Sequence, residues 1–143
     1  AKEGWYPIFF ENHDQNRSMH RYFPEGTDPK VAAKALATVL FTLRGTPFVY
    51  EGEEIGMTNT AFPKIEDYND ISTHGQYEYA LKEGLSPEEA LKAVQFQSRD
   101  NARTPMQWTR DTNAGFTTGK PCRSIKISRI AVSRRRARTA RPC

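Results

Sequence analysis

Phe9-Phe10-Glu11-Asn12-His13-Asp14-Gln15-Asn16-Arg17 runs from apolar residues straight into a carboxylate, an amide, an imidazole and a guanidinium. The apolar part, 7–10, is short and bounded by polar residues, the pattern of a strand buried on both faces in a parallel sheet. Polar groups just past the C-terminal end of such a strand occupy the place where barrel enzymes carry their catalytic side chains. Asp14 there can stabilise positive charge on a substrate, and His13 can hydrogen-bond a hydroxyl. The same pair can equally be a turn cap beside a locally packed ring.

Downstream, Thr27 or Asp28 followed by Pro29 is a helix start, since proline lacks an N–H that the first turn does not need. Val31, Ala35, Leu36, Val39, Leu40 and Leu43 recur at helical spacing, which predicts a helix over 28–44 stopped by Gly45. Thr46-Pro47-Phe48-Val49-Tyr50 is the next apolar run. Strand, helix and strand in this order predict a parallel crossover. Residues 51–84 are acidic, aromatic and glycine-containing, which predicts a long loop with short helices. Ser86-Pro87-Glu88-Glu89 is a capping box opening a helix to about Ser98. No internal repeat is present.

Two further stretches carry chemistry. Arg99-Asp100-Asn101-Ala102-Arg103 places two guanidiniums around a carboxylate and an amide, suited to a polyhydroxylated or anionic ligand, or to a surface ion-pair network. Glu51-Gly52-Glu53-Glu54 follows the second strand, where it either lines the same mouth as Asp14 or forms a solvated acidic turn. Tyr22, Phe23, Phe62, Tyr68 and Trp108 are candidates for stacking on sugar rings or for filling core. Three scattered histidines and two cysteines lack metal-ligand spacing, so no metal and no cofactor are expected. Neither a glycine-rich phosphate loop nor a nucleophile elbow is present.

The net charge of +4 over 143 residues conceals two unlike parts. Residues 120–143 hold nine Lys or Arg and no Asp or Glu, which leaves a net of −5 on 1–119. Both cysteines, Cys122 and Cys143, also fall in that basic segment. The cysteine-free body fits the cytoplasm. No stretch is apolar enough to cross a membrane, and residues 1–5 contain no signal-peptide core.

Taken in order, Phe10-Glu11-Asn12-His13-Asp14-Gln15, Gly45-Thr46-Pro47-Phe48-Val49-Tyr50, Gly52-Glu53-Glu54-Ile55-Gly56-Met57-Thr58-Asn59, Ser98 through Trp108 and Asn113 through Gly119 resemble the α-amylase superfamily of glycoside hydrolases. The branch is that of oligo-1,6-glucosidases and α-glucosidases. The resemblance covers nearly all of 1–121. It implies an α/β fold, the last quarter of a (β/α)8 barrel, with 7–10 as the seventh strand, 28–44 as the seventh helix and 46–50 as the eighth strand. It also implies a retaining, exo-acting α-glucosidase that removes terminal α-1,6- or α-1,4-linked glucose from short, isomaltose- or maltose-like oligosaccharides.

By the same resemblance, Asp14 is the transition-state-stabilising carboxylate, while His13 and Arg99 bind substrate. Arg103 and Arg17 are weaker candidates, expected behind those that touch the sugar. The family's nucleophile and acid/base correspond to no residue here, so 1–143 alone are expected to be inactive and to fold poorly. Glu51 and Asn16 stand where the family usually has Gln and Pro. After Pro121 the likeness ends, and residues 122–143 are expected to be a frameshifted or disordered basic tail. The alternative is a non-catalytic remnant that only binds sugar, or that binds nucleic acid through the tail.

Overall fold

The computed structural model describes residues 4–119. The tail at 122–143 lies outside the described residues. Two short strands, β1 (Pro7–Ile8) and β2 (Thr46–Pro47), pair in parallel, with Pro7 opposite Thr46 and Ile8 opposite Pro47. Thr46 N–H donates to the Tyr6 carbonyl at 3.0 Å, and Phe48 N–H donates to the Ile8 carbonyl at 2.8 Å. The expected strands at 7–10 and 46–50 are therefore longer than those observed. The next donor in that series, Tyr50 N–H, turns to the Glu53 carboxylate at 3.0 Å, and the ladder stops there.

Between the strands run α1 (Ser18–Tyr22) and α2 (Pro29–Thr42). Asp28 caps α2, accepting from the N–H groups of Lys30 at 2.8 Å and Val31 at 3.4 Å. The buried stripe of α2 is Ala32, Leu36 and Leu40, one residue per turn. This is narrower than the face expected from spacing, because Val31, Val39 and Leu43 are exposed. Met19 of α1 packs on Ala32 and Leu36, with Phe10, Phe23 and Ala33 around them. Gly45 ends the connection at φ +152°, a region that disfavours any side chain.

Residues 51–84 contain more order than expected. After two short turns of 3-10 helix comes α3 (Ile71–Lys82), which packs against α4 (Pro87–Gln97) across a short connection. Ser86 and Glu89 close the capping box of α4 reciprocally. Ala90 and Val94 of α4, Thr73 of α3, and Phe62, Tyr68 and Met57 of the preceding chain are all buried. Phe62 and Tyr68 meet edge to face, with centroids 5.0 Å apart. Phe9, Phe48 and Val49 stay exposed and line an open concavity of about 380 Å3 with Pro7, Glu11, Asn12 and Tyr50.

Candidate active site

The turn after β1 is built from below. Glu11 is buried, and its Oε1 accepts from Ser18 N–H at 2.8 Å and Ser18 Oγ at 2.6 Å. Its Oε2 accepts from Arg17 Nη1 at 2.8 Å, in a pair whose side chains are each 1% exposed. Arg17 also donates from Nη1 to the Glu51 carbonyl at 2.9 Å and lies over the Tyr50 ring at 5.4 Å. Its backbone N–H donates to Asn59 Oδ1 at 2.8 Å. Arg17, a candidate for substrate binding, thus belongs to the foundation of the turn and is sealed from any ligand. Glu11 needs a buried cation, and Arg17 supplies it.

On this base, Asn12 Oδ1 accepts from Asp14 N–H at 2.9 Å, which turns the Asp14 side chain outward. The Asp14 side chain is 49% exposed. Its Oδ1 receives Arg103 Nη2 at 2.6 Å and Arg99 Nη1 at 3.5 Å. Its Oδ2 faces His13 Nε2 at 3.3 Å. Arg103 Nε donates to the His13 carbonyl at 2.8 Å, so one guanidinium grips both residues of the pair. Asp14, His13, Arg99 and Arg103 are brought together, although Asp14 and Arg103 lie 89 residues apart.

The arginines come from a turn that buries its own middle. Asp100, Asn101 and Ala102 are nearly inaccessible, while Arg99 and Arg103 project. Asp100 Oδ2 accepts from the N–H groups of Asn69 at 2.6 Å and Asp70 at 3.0 Å. Asn101 Oδ1 accepts from Thr60 N–H at 2.9 Å, and its Nδ2 donates to the Gln95 carbonyl at 2.9 Å. Tyr50 Oη donates to the Ala102 carbonyl at 3.1 Å, tying the end of β2 to this turn. Asn16 and Asn59 both donate to the Phe96 carbonyl, at 3.1 and 3.2 Å.

One residue of the cluster, Asp70, comes from a segment that reads as loop. Asp70 caps α3 and binds Arg99 through Nε at 3.1 Å and Nη2 at 2.5 Å. The Arg99 guanidinium, the largest cause, holds its carboxyl at about 2, against an ordinary 3.8. Asp70 ahead of Ile71-Ser72-Thr73 is a helix-cap pattern that a loop reading of 51–84 passes over.

The acidic turn after β2 serves itself. Glu53 Oε2 accepts from Tyr50 N–H, and Glu54 Oε2 accepts from Gly52 N–H at 2.8 Å. Burial pushes the Glu53 carboxyl above its usual range. Neither carboxylate meets Asp14 among the described bonds. Of the aromatic candidates, Phe62 and Tyr68 are core, whereas Tyr22 and Trp108 are exposed. Among the described residues, no group of His, Cys, Asp or Glu is placed to hold a metal ion, and no helix is long and apolar enough to cross a membrane.

Residues 1–132 match the alpha-amylase catalytic domain. The oligo-1,6-glucosidase of Parageobacillus thermoglucosidasius is 48% identical over 120 residues, which cover 83% of this chain and 21% of that enzyme. The trehalose-6-phosphate hydrolase of Escherichia coli (strain K12) is 46% identical over 117 residues, covering 82% and 21%. Among solved structures, the trehalose-6-phosphate hydrolase of Bacillus licheniformis superposes with a TM-score of 0.78 at 43% identity, over 85% of this chain and 22% of that one. The trehalulose synthase MutB of Pseudomonas mesoacidophila MX-45 superposes with a TM-score of 0.73 at 44% identity, over 85% and 22%. The chain thus spans about a fifth of the length of these relatives. With family blocks, backbone geometry and clustered polar residues all in agreement, the chain belongs to the alpha-amylase family, as part of its catalytic domain.

Proposed function

We propose that these residues form the seventh-strand to eighth-strand portion of the barrel of a retaining, exo-acting α-glucosidase. In this reading the enzyme works in the cytoplasm and releases terminal α-linked glucose from short oligosaccharides. One observation carries the reading: a half-exposed carboxylate, Asp14, with one oxygen held by two guanidiniums and the other facing an imidazole. A retaining glycosidase passes through an oxocarbenium-like transition state, so positive charge develops on the sugar ring. A fixed carboxylate beside that ring stabilises the charge without having to reorganise during the reaction. Oδ2 of Asp14 and the exposed ring of His13 supply acceptor and donor positions for sugar hydroxyls.

The charge balance supports a neutral ligand at this cluster. Arg103 is paired with Asp14, and Arg99 is committed mainly to Asp70, so two guanidiniums meet two carboxylates. A phosphate would find no surplus cation among these four groups, whereas hydroxyls find an acceptor. Nucleophile and acid/base are assigned to no residue of 1–143. The test is the complete gene product that contains this segment, assayed for glucose release from isomaltose and maltose, with the released anomer followed by NMR. The reading expects α-glucose first, and a loss of about 100- to 1,000-fold in kcat for Asp14→Asn. Activity retained within threefold in Asp14→Asn refutes the role of Asp14, and an inactive wild type refutes the reaction.

A further inference from the structure

The geometry points to Asp70 as a positioning residue that keeps Arg99 from collapsing onto Asp14. The inference rests on the reading of Asp14 as the carboxylate that faces the substrate. Asp70 itself is 4% exposed, and its carboxylate is bonded to Ser72, Thr73 and Arg99. Oδ1 accepts from Ser72 N–H at 3.2 Å and Arg99 Nη2 at 2.5 Å. Oδ2 accepts from Thr73 Oγ1 at 3.1 Å and Arg99 Nε at 3.1 Å. The carboxylate cannot turn, because Ser72 and Thr73 fix it to the first turn of α3. Its backbone N–H is held at 3.0 Å by Asp100, the residue next to Arg99. Thr73 Oγ1 also accepts from Ser98 Oγ at 2.8 Å, so α3 grips the chain just before Arg99 as well as the guanidinium.

This two-pronged bond occupies the Nε–Nη2 edge of Arg99 and leaves only Nη1 toward Asp14, at 3.5 Å. Arginine carries about 2 kcal/mol of rotamer entropy, and its fork matches any carboxylate within reach. Freed from Asp70, Arg99 has Asp14 as its next partner. A fork on Asp14 would add a second close guanidinium to the one Arg103 already supplies at 2.6 Å. The effective negative charge of Asp14 would then fall, and Oδ2 would be taken from the ligand. Asp70 thus sets how much of the Asp14 charge is left for the sugar.

The experiment is a double-mutant cycle in the complete gene product, using isomaltose, with Asp70→Asn, Arg99→Gln and the two together. Asparagine keeps the helix cap and removes the charge; Asp70→Ser is a second such variant. Asp70→Asn is expected to lower kcat about 10- to 100-fold with a smaller change in KM, because the lost stabilisation belongs to the transition state. In the Arg99→Gln background it is expected to have no further effect, since Asp70 acts only through Arg99. Additive losses overturn the proposal, because a purely structural Asp70 would damage either background alike. If neither Asp70 variant folds, Arg99→Lys carries the test: it keeps the charge but loses the fork, and activity within twofold of wild type overturns the proposal. A crystal structure of Asp70→Asn reads the same inference without activity. Arg99 forked onto Asp14 supports it, and Arg99 still at its wild-type distance refutes it. A wild type inactive on every α-glucoside counts against the function proposed above, and the crystal structure then decides the positioning role alone.

Discussion

Replacing Glu11 by Gln tests what holds the turn that presents His13 and Asp14. The carboxylate makes three close bonds, to Arg17 Nη1 and to the N–H and Oγ of Ser18, and both it and Arg17 are 1% exposed. Glutamine offers one oxygen and one NH2. With the oxygen toward Ser18, the NH2 confronts the Nη1 donor of Arg17. With the oxygen toward Arg17, the NH2 confronts the Ser18 N–H, which cannot rotate away. Either way a donor faces a donor and a buried guanidinium loses its counter-charge. Removing one partner of a buried ion pair costs about 3–5 kcal/mol, because the remaining charge stays desolvated. The Tyr50 face and the Glu51 carbonyl recover only part of this. The assay is the urea midpoint and melting temperature of the complete gene product carrying Glu11→Gln, Arg17→Met or both. The double variant is expected to lose less than the two single losses together, since methionine removes the demand that glutamine fails to meet. A loss below about 1 kcal/mol for Glu11→Gln would refute the account, whose premise is an uncompensated buried charge.

Two other outcomes follow from the same contacts. Gly45→Ala would place a Cβ 2.5 Å from the Tyr6 carbonyl oxygen and 2.6 Å from Ile8 Cδ1, at φ +152°, so the β1–β2 pairing must shift. A cost of about 1–3 kcal/mol is expected by thermal melting, and an unchanged melting temperature counts against it. Asp70 has a folded pKa near 2, below its ordinary 3.8, so its ionised form is favoured by folding. Its contribution is fully present above pH 3.8 and is lost as pH falls from there through 2. The loss is at most about 2 kcal/mol, since Arg99 is partly in solvent. Denaturant midpoints measured between pH 5 and 2.5 should fall more steeply for wild type than for Asp70→Asn, and equal slopes refute it.

What was legible in the sequence was whatever has a local cause. Asp28-Pro29 and Ser86-Pro87-Glu88-Glu89 announce α2 and α4 because a cap is satisfied within four residues. The extent of the strands was not legible, because Tyr50 N–H has two possible acceptors and the choice of Glu53 depends on a turn formed later. α3 was hidden by its composition. Ile71 is exposed, Gly75 is a poor helix former in its middle, and Thr73 is its one buried residue, so no apolar stripe exists to be read. Its order comes from the Asp70 cap and from packing on α4. His13, Asp14, Arg99 and Arg103 were recognisable as residue types in short blocks. Arg17 was expected behind the residues that touch the sugar, but its pairing with Glu11 was not legible, because nothing between Glu11 and Arg17 shows that Ser18 folds back to bury the pair.

The site is a contact between two separately supported pieces of chain. Asp14 and His13 stand on the Glu11–Arg17–Ser18 base, whereas Arg99 and Arg103 stand on a turn locked by Asp100, Asn101 and Asp70. Between the two foundations run the Tyr50–Ala102 bond and the paired Asn16 and Asn59 bonds to Phe96. Asp70, from the segment 57–84, reaches Asp14 through Arg99, which it holds by Nε and Nη2 while Nη1 stands 3.5 Å from the Asp14 carboxylate. On the proposed reading of Asp14, a change at Asp70 therefore alters the charge left for a ligand while the residues around Asp14 stay unchanged.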